Sequence, residues 1–137
     1  FSTFIKQKSK RCQNVEVLLV EDNEINQLVA TTFLESFGCK VTLANNGLEA
    51  IELIKAKNSF DIIFMDVQMP IMNGYDATRI IRKELKMNIP IIAMTANAMN
   101  EDIIKSKEAG MDKHIGKPIE PNEIEKAIAI FVLNKRG

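Results

Sequence analysis

The sequence has no apolar run approaching the roughly 18 residues that a membrane-spanning helix requires. Nor does it open like a signal peptide, because Phe1 to Ile5 is followed at once by Lys6, Lys8, Lys10 and Arg11 instead of an apolar stretch. Both absences lead to the expectation of a soluble, cytoplasmic domain with no membrane contact of its own, even where a parent protein is membrane-anchored. Cysteine is scarce. Cys12 and Cys39 form neither a disulfide framework nor a metal-binding spacing, and both are expected to be reduced and structural. His114 is the single histidine, and with no second histidine or cysteine near it the sequence offers no transition-metal site. Net charge is lacking too: 18 basic residues balance 18 acidic ones. That removes the cationic excess with which proteins grip phosphate backbones, so no direct nucleic-acid contact is expected. There is no internal repeat, no low-complexity segment and no glycine-rich phosphate loop.

What is present is a chain of 137 residues, 46% hydrophobic and 26% charged, the size and composition of one globular domain. Its charge is unevenly spread. Residues 1–14 hold four cations and no acid and read as a basic linker or tail, while residues 15–137 carry 14 basic and 18 acidic residues and read as the folded body. Within that body, short β-branched runs alternate with longer stretches of helical period. Strands are expected at 15–20, 39–44, 61–65, 89–94 and 113–115, and helices at 25–37, 47–57, 74–86, 100–109 and 122–134. In the first helix Ile25, Leu28, Val29, Thr32 and Phe33 share one face, and Gly38 and Gly110 stand just past helix ends. Leu18, Ile63 and Ile91 read as core, and Tyr75 as a surface aromatic. Five βα units joined by right-handed crossovers give an α/β fold, a doubly wound five-stranded parallel sheet. Such sheets collect their functional groups outside the carboxyl ends of the strands.

At those ends stand Glu21 and Asp22 after the first strand, Asp66 after the third, Thr95 after the fourth and Lys117 with Pro118 after the fifth. Three carboxylates at one sheet edge repel: two unit charges 4 Å apart cost about 4 kcal/mol at an effective dielectric of 20. Lys117 supplies one compensating charge. Mg²⁺ is the natural second, since it takes oxygen ligands from one or two carboxylates and keeps waters that phosphate oxygens can replace. A carboxylate beside Mg²⁺ and a lysine is a nucleophile toward a phosphoryl group and would form an acyl phosphate. Asp66 is the best placed, because it closes the central apolar strand and Pro70 prevents the loop beyond it from continuing as strand or helix. Thr95 and Lys117 can then share the charge of the equatorial oxygens. Taken singly, Asp22 and Thr95 read as helix caps and Lys117 as a solvated lysine. Acid pair, acid, hydroxyl and cation at four strand ends, in that order, read as one site.

Leu18-Leu19-Val20-Glu21-Asp22-Asn23, Asp66-Val67-Gln68-Met69-Pro70 with Met72-Asn73-Gly74, Ala93-Met94-Thr95-Ala96 and Gly116-Lys117-Pro118 together resemble the motifs of receiver domains. These are the phospho-accepting domains of response regulators and hybrid sensor histidine kinases, and the resemblance runs from Val15 to Leu133. It implies a flavodoxin-like (βα)5 fold with strand order 2-1-3-4-5, and a role in a two-component phosphorelay. It further implies that Asp66 takes its phosphoryl group from a phosphohistidine on a histidine kinase or a histidine phosphotransfer domain. Glu21, Asp22, Asp66 and the main-chain carbonyl of Gln68 would hold Mg²⁺, and Thr95 and Lys117 would bind the phosphoryl oxygens. Gln68 and Asn97 would tune the lifetime of the acyl phosphate, and the Lys117-Pro118 bond would be cis. Such a domain catalyses its own aspartyl phosphorylation and dephosphorylation without being a turnover enzyme.

One position departs from the family pattern: His114 stands where a switch aromatic partners the threonine, here Thr95. Asn26-Gln27-Leu28-Val29-Ala30 resembles the first helix of hybrid-kinase receivers, a docking surface for a kinase or phosphotransfer helix bundle. The expected architecture is therefore the C-terminal module of a hybrid histidine kinase, with a stand-alone single-domain regulator as the alternative. From another class, an aspartyl phosphatase of the haloacid dehalogenase type also uses a strand-end Asp and Mg²⁺. Its second acid two places on is replaced here by Gln68. A flavin or nucleotide binder of the same topology would set Glu21 and Asp22 against its phosphate.

Overall fold

Successive residues of a strand face opposite sides of a sheet, so strands that are apolar throughout feed two cores at once. In the computed structural model, which describes residues 12–57, 59–96 and 100–134, this division organises the chain. The elements are β1 (Glu16–Val20), α1 (Glu24–Ser36), β2 (Lys40–Ala44), α2 (Gly47–Ala56), β3 (Ile62–Asp66), α3 (Gly74–Lys83), β4 (Ile91–Thr95), α4 (Asn100–Ala109), β5 (Lys113–Gly116) and α5 (Pro121–Ile128). The last helix winds on as a π-helical turn over Ala129–Leu133. The strands are parallel in the order β2-β1-β3-β4-β5. Each element lies within two residues of its expected bounds, except at the ends of α3 and α5.

Val17, Leu19, Phe64, Ile92 and Met94 face one core with Ala30 and Leu34 of α1 and Ile124, Ala127 and Ile128 of α5. Leu18, Val20, Ile63, Met65, Ile91 and Ala93 face the other with Ala50, Ile51 and Ile54 of α2 and Ala77 and Ile81 of α3. Chain order reverses between β1 and β3, the place where doubly wound sheets open a crevice at their carboxyl ends. The loops leaving that edge are fixed by asparagines. The side chains of Asn23, Asn46 and Asn73 accept from the amides of Asn26, Glu49 and Asp76 at 3.0, 2.9 and 2.9 Å, capping α1, α2 and α3.

The apolar face of α1 turns mostly to solvent: Ile25 and Leu28 are 73% and 68% exposed and Val29 is exposed too, while Ala30 and Leu34 on the opposite side are buried. Two expectations need correction. Tyr75 is not a free surface aromatic, since it packs on the second core and its hydroxyl hydrogen-bonds Ser106 of α4. Cys12, inside the stretch read as a tail, is fully buried in the first core, and its N–H donates to Phe37 O at 3.2 Å. Cys39 is buried beside it, and neither is in a disulfide. Their hydrogen bond, together with burial, pushes the Cys39 pKa far up, so it stays a protonated, inert thiol. Residues 1–11 and Asn97 lie outside the described residues. Among the described residues no helix is long and apolar enough to cross a membrane.

The exposure pattern of α1 yields a direct test by urea unfolding. Leu34→Ala should cost about 2–5 kcal/mol as a buried truncation, whereas Leu28→Ala should change stability by no more than about 0.5 kcal/mol.

Candidate functional site

β1 and β3 lie side by side, with Val20 paired to Met65, so the residues that follow Val20 and Met65 emerge together. Glu21 is 1% exposed and Asp66 4% exposed. Asp22 beside them is exposed, and carboxylate oxygens of all three lie within 4.8 Å of one another. The Lys117 ammonium bridges the two buried acids, 3.0 Å from Glu21 Oε1 and 3.1 Å from Asp66 Oδ2. The remaining oxygens are also engaged: Glu21 Oε2 accepts the Asn23 N–H at 3.1 Å and Asp66 Oδ1 accepts the Gln68 N–H at 3.2 Å.

Burial alone would make the Lys117 ammonium give up its proton more readily. Hydrogen bonds and charge attraction from Glu21 and Asp66 outweigh that, and its pKa lies above the ordinary 10.5. Three carboxylates against one ammonium leave two negative charges uncompensated, and oxygen is the only donor type offered. A hard divalent cation such as Mg²⁺ fits that donor set.

β4 brings the hydroxyl. Asp66 is in register with Met94, and Thr95, 5% exposed, is in register with Gly116. The Lys117 N–H donates to Thr95 O at 2.8 Å, tying the lysine's backbone to the threonine's. The Lys117-Pro118 peptide is cis. Glu21, Asp22, Asp66, Thr95 and Lys117 thus gather at one sheet edge, with the exposed Gln68 on the adjoining loop. His114 sits apart from this cluster, half-buried on β5 opposite Ala93.

Two residues that stand within the quoted motifs were given no role at the site by the sequence. Gln27 donates through Nε2 to Glu21 O at 2.6 Å and to Asn45 Oδ1 at 2.8 Å, joining the loops after β1 and β2. Its signal in the sequence is only a polar residue one turn into α1. Gly74 opens α3 against the Asp66 loop: a Cβ there would collide with the main-chain oxygen of Asp66 and lie 3.0 Å from Val67 Cα. Only glycine allows that approach.

A parallel α/β domain with an acid trio and a bridging lysine at its switch point is the architecture of a phosphorylation switch. The chain belongs to the response regulator receiver domain family, whose model matches residues 17–129. It is 40% identical over 138 residues to hybrid signal transduction histidine kinase G of Dictyostelium discoideum, a match that covers 97% of this chain and 4% of that protein. The chain thus spans a small part of the kinases it resembles. Among solved structures it is similar to the receiver domain of a sensor histidine kinase of Pseudomonas aeruginosa, at 39% identity and a TM-score of 0.79, covering 86% of this chain and 97% of that one. That domain carries a magnesium ion in its active site cleft. It is also similar to the receiver domain of the response regulator Ssk1 of Saccharomyces cerevisiae, solved in complex with the histidine phosphotransfer protein Ypd1, at 30% identity and a TM-score of 0.83, covering 90% and 92% of the two chains.

Because Lys117 has a raised pKa, its pairs with Glu21 and Asp66 stabilise the fold fully below pH 10.5 and lose that contribution as pH climbs through the raised value. Wild type should therefore exceed Lys117→Met by on the order of 2–3 kcal/mol near neutrality. Denaturant titrations at successive pH values should show this gap narrowing above pH 10.5.

Proposed function

We propose that Asp66 accepts a phosphoryl group from a phosphohistidine and that the resulting acyl phosphate switches the domain's affinity for partners. The observation that carries this reading is the Lys117 ammonium seated between the buried Glu21 and Asp66 carboxylates, with Asp22 within reach. In the transfer, an Asp66 carboxylate oxygen bonds to phosphorus as the bond from phosphorus to the donor imidazole nitrogen breaks, and the imidazole leaves with the electron pair. Lys117 meets the charge on one phosphoryl oxygen and the Thr95 hydroxyl another. Mg²⁺, held by Glu21, Asp22, Asp66 and the Gln68 carbonyl, supplies neutralisation of the phosphoryl charge. Gln68 and Asn97, two places along the chain from Asp66 and Thr95, set the lifetime of the acyl phosphate.

After transfer, the added charge and oxygens draw Thr95 inward, and His114 takes the part of the switch aromatic on β5. Ile25, Leu28 and Val29 form an exposed apolar strip on α1, which starts beside the Glu21-Asp22 loop. Apolar residues a helical turn apart suit a helix laid across them. This strip is the docking surface for a histidine kinase or a histidine phosphotransfer domain, and the parent protein is a hybrid histidine kinase working in the cytoplasm.

With acetyl phosphate as donor, wild type should gain one phosphoryl group in intact-mass spectra, and a chelator should abolish the gain. Asp66→Asn should show less than about 1% of wild-type incorporation; full incorporation by that variant would move the site elsewhere. Leu28→Asp should slow transfer from a phosphorylated histidine phosphotransfer protein by about tenfold, equal to 1.4 kcal/mol, while leaving labelling by acetyl phosphate unchanged. An equal effect on both donors would refute docking through α1.

A further inference from the structure

Thr95 and Lys117 lie at the carboxyl ends of β4 and β5, yet the side chain that ties the opposite ends of these strands together belongs to neither. Arg82, in the last turn of α3, uses four of its five N–H groups there. Nε donates to Gly110 O at 2.9 Å, Nη1 to Met87 O at 2.9 Å and to Ile89 O at 2.7 Å, and Nη2 to Asp112 Oδ2 at 2.9 Å. The Arg82 side chain is 18% exposed. Asp112 closes a second ring: its Oδ2 accepts the Ile91 N–H and its own N–H donates to Ile91 O, both at 2.8 Å. Ile91 is the first residue of β4, and Asp112 immediately precedes β5. The guanidinium therefore fixes the axial position of each strand where it begins.

Gly110 shows how tight this junction is. It ends α4 at φ +108°, and a Cβ there would sit 2.8 Å from Arg82 Cγ. The chain is drawn onto the arginine where only glycine fits.

We propose that Arg82 is a positioning residue for the phosphoryl site, acting through the register of β5 against β4. This rests on the reading of Thr95 and Lys117 as the groups that meet the phosphoryl oxygens. β5 is four residues long and forms the outer edge of the sheet, bonded to β4 alone. With so few ladder bonds, its axial position depends on what holds its two ends. At the site end that is the Lys117 N–H on Thr95 O, and at the far end it is the Arg82–Asp112–Ile91 ring. From Ile91 to Thr95 is about 13 Å of strand, which is too stiff to absorb slack. A sliding β5 carries Lys117 with it, and a displacement near 1 Å in reacting groups can cost about a hundredfold in rate.

Glu21 and Asp22 follow β1 and Asp66 closes β3, so the backbones that carry the carboxylates are set elsewhere, and a withdrawn Lys117 takes a competing cation, not a ligand, from the metal. Arg82 should thus affect phosphoryl transfer and metal affinity differently. A merely structural residue would loosen both.

The test uses Arg82→Gln and Arg82→Lys. Magnesium affinity is read by titration calorimetry, and the rate of labelling by acetyl phosphate is read at saturating Mg²⁺. Both variants should bind magnesium no more than about twofold more weakly than wild type and be labelled at least about tenfold more slowly. Lysine should not rescue, because a single ammonium cannot serve four acceptors spread around a planar fork. In a Lys117→Met background, Arg82→Gln should add less than about threefold, since both changes act on the same contact, that of the Lys117 ammonium with the phosphoryl group. Should Arg82→Gln fail to fold, Asp112→Asn, which keeps an acceptor for Ile91, should show the same division at about threefold or more. A rate within twofold of wild type, magnesium affinity falling in parallel with the rate, or full additivity with Lys117→Met would overturn the proposal. Wild type that takes no label on Asp66 would instead defeat the functional reading on which it rests.

Discussion

Glu21 and Asp66 are nearly closed to water, and the Lys117 ammonium that bridges them at 3.0 and 3.1 Å holds two adjacent charges where solvent screens them poorly. Without it, each pair of carboxylates would repel by about 4 kcal/mol at 4 Å, a large fraction of the 5–15 kcal/mol that typically holds a domain together. The lysine quenches only part of the charge, because Asp22 adds a third carboxylate. The site is thereby left short of positive charge and primed for a divalent cation and for what such a cation carries with it. Lys117 follows the outermost strand, two places from β3 in the sheet, so its reach to Asp66 depends on how β5 is seated against β4.

This gives the sheet a division of labour. β1 and β3 meet at the switch point and deliver the negative charge, while β4 and β5 deliver the hydroxyl and the ammonium that answer it. The asparagine caps on α1, α2 and α3 turn the chain sharply at that edge and keep the loop backbones committed. Asn23 in particular performs the capping that Asp22 would otherwise perform, so the acid is available to the site. On the far side of α1 from its core contacts, Ile25, Leu28 and Val29 remain uncovered, an arrangement suited to a surface that meets partners transiently.

Much of this was readable in the residues. Parallel strands buried on both faces must be apolar along their length, so Glu21, Asp22, Asp66, Thr95 and Lys117 stood out as polar groups at the ends of such runs, and the sheet brings them together. For α1, periodicity shows which residues share a side of a helix and not which side is buried. Ala30 and Leu34 are the buried ones through their place over β1 and α5. Cys12 looked like part of a polar tail since its burial depends on a contact with Phe37, distant in sequence. Arg82 and Gln27 look like ordinary helix-surface residues, and their importance lies in main-chain oxygens that only the tertiary fold brings within reach.

The central claim is that one charge-compensated pocket holds a metal and a phosphoryl group together, with Asp66 as the attachment point. A crystal structure grown with Mg²⁺ and beryllofluoride, which mimics a phosphoryl group on a carboxylate, tests it most directly. The account predicts beryllium bonded to an Asp66 oxygen, fluorines contacted by Thr95 Oγ1 and Lys117 Nζ, and the metal on Asp22 and Asp66. Beryllium on Asp22 or Glu21, or a metal bound away from these carboxylates, would contradict it.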